Sequence, residues 1–288
     1  MSRRTVWLAS YPKSGNTWFR AVYSALAGGG KIDINNLGDG PQAADSVLFE
    51  RRIGISPQLL STSEIELLRP RVDEALDREG PDMLLRKVHD LLHVGPSGEL
   101  IVSGAATRCA IYILRDPRDV AVSFAHHLNR PVEQASRLIS GRPRSTSDRW
   151  GDPDEEDPRL WYRLTAPNLP QHLGGWSDHV RSWIDEAPFA VHTLRYEDCL
   201  RSPVPTFLQA LRSGGMDVTE ERVRRAVEAA SFERLRSQEQ QAGFAGRVGR
   251  SAFFRRGRIG SWRDELPGGE ARLIEEEHAE VMTRFGYL

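Results

Sequence analysis

The sequence predicts an α/β fold in which helices flank a central, mainly parallel sheet. Short apolar segments of strand length alternate along the chain with segments in which apolar residues recur at helical spacing. Apolar residues make up 39% and charged residues 27% of the 288 residues, which is typical of a globular protein with a sizeable core. A chain of this length holds one large α/β domain or two small ones, and we favour a single domain over 1–288.

The first strand, turn and helix organise the rest of the chain. Val6 to Ala9 is an apolar segment of strand length. Residues 13–17 form a compact polar turn, after which one helix face is apolar: Trp18, Ala21, Val22, Ala25 and Leu26. This order aims backbone N–H groups and the positive end of a helix dipole at one point, which predicts a site for phosphate or sulfate. Lys13 adds a cation there, and Ser14 and Thr17 add hydroxyl donors.

An ordinary turn with a solvated lysine is the alternative for this segment. We favour the anion site because lysine, glycine and hydroxyl side chains all fall within residues 13–17, at a strand-to-helix junction. The turn differs from the nucleoside-triphosphatase loop, G-x-x-x-x-G-K-[ST], whose lysine follows the second glycine. Here Lys13 precedes Gly15, and no glycine stands upstream of it.

The second strand leads into a histidine. A helix is predicted over Ser63 to Glu79, with Ser63 as its cap and an interruption at Pro70, and helical turns are predicted near 47–51. Met83 to Val88 is the second strand, and His89 follows it. Ligands bind at the carboxyl ends of strands in α/β sheets, where a neutral imidazole can accept a proton from a hydroxyl. A lone histidine is also commonly structural, and both interpretations stay open here.

A second helix start suited to anions follows the third strand. Cys109 to Leu114 is continuous in apolar residues, as buried parallel strands are, and Asp116 caps the helix that comes next. Arg115 precedes this helix. Its fork-shaped guanidinium favours bidentate phosphate binding over the alternative, an ion pair with Asp116 or Asp119. Ser123 lies eight residues after Arg115, so a common ligand would lie across the opening of the helix.

The second half of the chain supplies a fourth strand, further helices and two irregular stretches. The strand is Phe189 to Leu194, and the helices are near 176–184 with Ser177 as a candidate cap, then at 203–211, 220–230 and 270–284. Residues 129–175 are a candidate lid over the substrate. Residues 238–262 are expected to close over a bound ligand, because 238–251 have few apolar anchors and three arginines at 255–258 suggest a phosphate clasp.

The charge balance and the cysteines exclude several classes of protein. A net charge of −1 argues against a nucleic-acid-binding protein with a broadly basic surface, so any anion binding is local. Cys109 and Cys199 fit a reducing compartment and lack metal-ligand spacing. The first apolar stretch is too short for a signal peptide, and no stretch approaches the ~20 apolar residues of a membrane helix. We therefore expect a cytoplasmic protein without a metal, a nucleic-acid partner or a membrane partner.

Five segments in order resemble the PAPS-dependent sulfotransferases, the cytosolic type and its bacterial small-molecule relatives. They are Y-P-K-S-G-N-T-W at 11–18, K-V-H at 87–89, R-D-P-R-D-V-A-V-S at 115–123, Y-E-D at 196–198 and R-R-G at 255–257. The resemblance implies a P-loop-like domain of three layers. It also implies in-line transfer of a sulfuryl group from 3′-phosphoadenosine 5′-phosphosulfate (PAPS) to a hydroxyl, which leaves adenosine 3′,5′-bisphosphate (PAP), without a metal.

The resemblance also implies a role for each matching residue. Lys13 would bind the 5′-phosphosulfate and stabilise the leaving oxygen, and His89 would deprotonate the acceptor. The donor would be held at its 5′-phosphate by Lys13, Ser14, Gly15, Asn16 and Thr17, at its 3′-phosphate by Arg115, Ser123, Arg255, Arg256 and Gly257, and at its adenine by Trp18, Tyr196 and Phe232.

Departures from the family pattern limit what the resemblance implies. Asn16 replaces a frequent second threonine, and Ala230 replaces a threonine that commonly contacts adenine, so one hydrogen bond to adenine is expected to be missing. The dimer motif of animal members is not present after Trp262, which leaves monomer and homodimer open.

The expected acceptor is a small-molecule hydroxyl, on a bacterial natural product or metabolite, with specificity set by 129–175. The alternatives are a nucleotide kinase of related fold, which the position of Lys13 disfavours, and a non-catalytic nucleotide-binding module in which His89 is structural.

Overall fold

A four-stranded parallel sheet forms the centre of the computed structural model, which describes residues 3–141 and 168–288. Its strands are β1 (Thr5–Ser10), β2 (Leu84–Val88), β3 (Thr107–Leu114) and β4 (Val191–Arg195), in the order β2-β1-β3-β4. The pairing of β1 with β2 runs from Thr5 opposite Leu84 to Ala9 opposite Val88. Helices flank the sheet, which confirms the predicted fold class.

The helices of the described chain include every one that the sequence predicts, together with several that it does not. They are α1 (Asn16–Ala27), α2 (Ser46–Ile53), α3 (Thr62–Glu79), α4 (Pro117–Leu128), α5 (Val132–Ile139), α6 (Trp176–Ile184), α7 (Tyr196–Arg201), α8 (Pro203–Ser213), α9 (Glu220–Ala229), α10 (Phe232–Ala242), α11 (Trp262–Glu265) and α12 (Gly268–Arg284). None of these described helices is both long enough and apolar enough to span a membrane.

The chain forms two compact units. The first contains the described residues of 1–11, 40–112 and 143–193, and the second those of 12–39, 113–142 and 194–288. The single domain over 1–288 stays a prediction. So does the lid at 129–175, of which 142–167 lie outside the described residues and 132–139 form α5.

The first unit holds most of the sheet and the helices α2, α3 and α6. All six residues of β1 are buried, as the apolar run predicts. The predicted cap of α3 at Ser63 is wrong: Ser61 caps it, because Ser61 and Glu64 form a reciprocal capping box. Pro70 lies inside α3 without ending it. The residue that precedes α6 is Gly175, so Ser177 is not its cap.

The second unit is mainly helical, and its core joins α1 to the helices that follow β4. Phe19 of α1 and Phe207 of α8 are both buried, with ring centroids 5.6 Å apart. Val223 and Ala226 form the buried face of α9. Helix α10 covers 238–242, the beginning of the segment expected to close over a ligand, while 243–261 form neither helix nor strand.

Candidate active site

The turn between β1 and α1, in the second unit, has the backbone conformation of an anion-binding loop. Lys13 and Gly15 both have positive φ, 69° and 108°, and α1 begins directly after Gly15, at Asn16. Among the described residues, no side chain caps α1, and its first turn contains no acidic residue. The positive end of the helix dipole is therefore left for an anion from outside the chain.

Gly15 is required at its position because of a neighbouring aromatic ring. A Cβ atom there would lie 2.6 Å from Cδ2 of Tyr196, in addition to the strain of a positive φ. Tyr196 is the first residue of α7, and its ring meets that of Trp18 edge-on, with centroids 6.0 Å apart. The glycine therefore lets the loop lie directly against an aromatic wall.

Arg115 joins the two segments that the sequence identifies as anion sites. Its Nη1 donates to the carbonyl oxygen of Lys13 at 2.8 Å, and its guanidinium carbon lies 4.4 Å from the ring centroid of Tyr196. Among the described residues, neither neighbouring aspartate forms an ion pair with Arg115. Asp116 pairs with Arg118 at 2.8 Å, and Asp119 accepts hydrogen bonds from backbone N–H groups.

Two buried polar atoms in this loop region match what a phosphate would need. Ser14 Oγ and Arg115 Nε are buried and have no hydrogen-bond partner among the residues that the structure describes. Buried polar groups are normally satisfied, so unsatisfied donors beside a helix N-terminus match a ligand that brings oxygen acceptors. The residues present fit a phosphorylated nucleotide.

Several of the predicted donor-binding residues line one pocket of the second unit. Lys13 Nζ lies 3.7 Å from the ring centroid of Phe253, in a cation–π contact. Basic side chains, imidazoles and hydroxyls share the pocket with that ring: Lys13, Ser123, His126, His127, Arg247, Ser251 and Arg255. The pocket thus brings together Lys13, Ser123 and Arg255, which come from three distant segments of the sequence.

The two arginines of the segment Arg255–Arg256–Gly257 form ion pairs with carboxylates that follow shortly after them in the chain. Arg255 Nη1 donates to both oxygens of Glu265, at 2.8 and 3.0 Å, and Arg256 lies 3.1 Å from Asp264. Glu265 also contacts His126 Nε2 at 2.6 Å. These partners hold the pKa of Glu265 below its usual value although burial raises it.

Gly257 and two of the residues predicted to bind adenine, Trp18 and Phe232, make close contacts. Gly257 has a φ of 58°, and a Cβ there would lie 2.4 Å from Cδ2 of Phe232. Trp18 Nε1 donates to the carbonyl oxygen of Ala230 at 3.0 Å, so the alanine in place of the common threonine still contributes its backbone oxygen here.

His89 belongs to the first unit, where it directly follows β2. Its Nδ1 lies 2.7 Å from the carbonyl oxygen and 3.2 Å from Oγ of Ser10. A carbonyl oxygen only accepts hydrogen bonds, so Nδ1 carries the proton and the lone pair of the neutral ring is on Nε2. This is the tautomer that a general base acting through Nε2 requires.

A second buried histidine supports the backbone of His89. His179 of α6 donates from Nε2 to the carbonyl oxygen of His89 at 3.0 Å, and the hydroxyl of Tyr112 donates to His179 Nδ1 at 2.8 Å. Burial lowers the pKa of His179 to about 4, so this imidazole is neutral at pH 7. Sequence reasoning placed the helix around His179 but missed this contact.

Sequence reasoning also missed three residues around the arginine segment. Phe253 has no predicted role, although its ring contacts Lys13. Asp119 was considered only as a partner of Arg115, and Glu239 had no local signal at all. Both carboxylates accept backbone hydrogen bonds from residues near 253–262. Within 3–141 and 168–288, no group of three or more His, Cys, Asp or Glu side chains could hold a metal ion.

Comparisons with known proteins agree with this geometry. The sulfotransferase domain family matches residues 3–286. Cytosolic sulfotransferase 16 of Arabidopsis thaliana is 28% identical, over 94% of this chain and 75% of that protein. Sulfotransferase 1A1 of Rattus norvegicus is 23% identical, over 96% of this chain and 84% of that protein.

Solved structures share the fold. A mouse sulfotransferase complexed with PAP aligns with a TM-score of 0.58 at 19% identity, covering 98% of this chain and 86% of that one. Retinol dehydratase in complex with androsterone and PAP aligns with a TM-score of 0.59 at 17% identity, covering 98% and 81%. Because the family matches almost the entire chain, the protein belongs to the sulfotransferase family, whose members take a sulfuryl group from PAPS and release PAP.

Proposed function

We propose that this sulfotransferase transfers the sulfuryl group of PAPS to a hydroxyl of a small molecule, with His89 as the general base and Lys13 stabilising the leaving oxygen. The acceptor we propose is a bacterial natural product or related metabolite. One structure of similar fold, retinol dehydratase, contains the small molecule androsterone, which supports a small-molecule acceptor.

The observation that carries this proposal is the hydrogen bond from His89 Nδ1 to the carbonyl oxygen of Ser10, at 2.7 Å. It favours the tautomer whose Nε2 can accept a proton, and it fixes the ring against the end of β1. A positioned imidazole that acts as general base typically contributes ~10²–10⁴-fold to a proton-transfer step.

The second unit supplies the proposed donor-binding residues. When bound, PAPS supplies the sulfuryl group and a phosphate leaving group. Lys13 would neutralise the charge that develops on the leaving oxygen, since a preorganised cation costs no reorganisation during the reaction. Ser14, Gly15, Asn16 and Thr17 would bind the 5′-phosphate. The 3′-phosphate would be held by Arg115, Ser123, Arg255, Arg256 and Gly257, and the adenine by Trp18, Tyr196 and Phe232.

Turnover measurements test the two catalytic roles. PAP release from PAPS would be measured with a panel of phenolic and aliphatic hydroxyl compounds, using wild type, His89→Asn and Lys13→Ala. His192→Asn, in β4, and Lys31→Ala, on the surface, are matched controls. We expect His89→Asn to lower kcat by ~10²–10⁴-fold while the Kd for PAP stays unchanged.

Two results would contradict the proposal. Full activity of His89→Asn would remove the histidine from catalysis. PAP binding by the wild type without turnover of any acceptor would favour the non-catalytic module. We also propose a single cytoplasmic domain in which 129–175 contact the acceptor. Exchange of that segment between homologues, followed by acceptor profiling, tests the last point.

A further inference from the structure

We propose that Glu239 is a positioning residue for the 3′-phosphate site: its buried carboxylate fixes the backbone of 253–257, and the affinity for the 3′-phosphate depends on that fixation. The proposal rests on the assignment of Arg255, Arg256 and Gly257 to this phosphate. Glu239 itself contacts neither the donor nor the reacting atoms in this proposal.

Glu239 makes two hydrogen bonds to consecutive backbone amides. It lies on α10 and is 6% exposed. One carboxylate oxygen accepts from Phe253 N at 2.6 Å, and the other accepts from Phe254 N at 2.9 Å. Hydrogen bonds to a carboxylate are about twice as strong as those between neutral groups, and a buried carboxylate that loses them is costly.

Phe253 and Phe254, whose amides donate to Glu239, directly precede Arg255, Arg256 and Gly257, the residues proposed to bind the 3′-phosphate. The ring of Phe253 lies under Lys13 Nζ, 3.7 Å away, and Phe254 is buried. Arg255 is the next residue, and it lines the same pocket as Lys13 and Ser123. A shift of the Phe253 and Phe254 amides would therefore move two things together: the Phe253 ring that Lys13 contacts, and Arg255, the first residue of the proposed phosphate site.

The carboxylate of Asp119 holds the backbone on the other side of the three arginines, at Gly260 and Trp262. Asp119 of α4 accepts from Gly260 N at 2.7 Å and from Trp262 N at 2.9 Å. In the described chain, 243–261 have no helix or strand hydrogen-bonding of their own. Glu239 and Asp119 therefore anchor the backbone on the two sides of Arg255 and Arg256, whose side chains are held in addition by ion pairs.

A purely structural role for Glu239 predicts a different outcome from a positioning role. If Glu239 only stabilises the fold, its loss lowers the thermal midpoint and weakens every nucleotide equally. If it positions the clasp, its loss weakens PAP more than adenosine 5′-monophosphate, which lacks the 3′-phosphate. The ratio of the two affinities is therefore the informative measurement.

Calorimetric titration of Glu239→Gln with both nucleotides tests this. Glutamine keeps the shape but offers one oxygen acceptor, and its NH2 group would face a backbone N–H. The matched control is Glu233→Gln, an exposed glutamate on the same helix. We expect the Kd for PAP to rise about tenfold in Glu239→Gln, with the Kd for adenosine 5′-monophosphate changed less than about twofold, and no change in the control.

Equal weakening of the two nucleotides, or an unchanged Kd for PAP, overturns the role of Glu239. A wild type that does not prefer PAP overturns the proposed 3′-phosphate site itself, and that result is visible without any variant. If Glu239→Gln does not fold, Glu239→Asp replaces it, since aspartate keeps both oxygens and the charge but shortens the reach. A reduced preference for PAP in Glu239→Asp supports the proposal, and an unchanged preference overturns it.

Discussion

Arg115 Nη1 donates a hydrogen bond to the carbonyl oxygen of Lys13 at 2.8 Å. The contact connects the loop after β1 to the residue after β3, within the second unit. Lys13 has a positive φ of 69°, a conformation that a non-glycine residue keeps only when its surroundings hold it. Arg115 therefore stabilises the turn as well as offering a cation, and its loss should cost more than one phosphate contact.

Arg115→Lys should weaken PAP binding by about tenfold or more, even though the charge is kept. Lysine lacks the planar fork, so it cannot both donate to the Lys13 carbonyl and lie over the Tyr196 ring as the guanidinium does. Calorimetric titration with PAP measures the effect. Arg225→Lys, on the exposed face of α9, is the matched control, and equal affinities of the two variants would contradict the prediction.

Gly15→Ala should destabilise the protein by about 1–3 kcal/mol and abolish most PAP binding. The added Cβ would lie 2.6 Å from Cδ2 of Tyr196. The alanine would also have to adopt the φ of 108° that Gly15 has. Gly30→Ala is a suitable control, because Gly30 also has a positive φ, 93°, but open space around its Cβ position.

Urea unfolding and PAP titration separate the two causes. The control carries the backbone strain alone, so a larger loss of stability in Gly15→Ala measures the clash with Tyr196. If both variants lose the same free energy of unfolding and both bind PAP normally, the close approach at Gly15 has no functional weight.

The strands could be predicted from the sequence because their signals are local. Cys109 to Leu114 is an uninterrupted apolar run, and burial on both sides of a parallel sheet requires such a run. Helix α10 was missed for the opposite reason, since it is mostly polar and only Leu235 and Glu239 on it are buried. Tertiary hydrogen bonds hold it, such as that from Ile34 N to Gln238 Oε1 at 3.2 Å.

The sequence predicts residues of the candidate site but not the contacts among them. Lys13, Ser123 and Arg255, which the motifs single out, line one pocket. Two of the contacts could not be predicted: Arg255 pairs with Glu265, and Lys13 lies over the Phe253 ring. Both depend on the path of residues 243–261, which form neither helix nor strand. The cap of α3 shows the same limit on a smaller scale: the sequence predicts Ser63, whereas the structure has Ser61 in a capping box with Glu64.

Acid should destabilise the protein through His179. Burial lowers the pKa of this histidine to about 4, whereas it is about 6.5 in an unfolded chain. Between these values the unfolded state binds more protons than the folded state, so the free energy of unfolding falls as the pH is lowered from 6.5 towards 4. The slope from this one group approaches about 1.4 kcal/mol per pH unit.

His179→Gln removes this titration and isolates its contribution. A glutamine amide can still donate to the His89 carbonyl oxygen, which accepts from His179 Nε2 at 3.0 Å in the wild type. Urea unfolding of both proteins at pH 7 and pH 5.5 should show the variant losing about 1 kcal/mol less than the wild type on acidification. A difference between the two proteins that is the same at both pH values would mean that His179 does not change its protonation on unfolding. In that case burial would not lower the pKa of His179 in the folded protein.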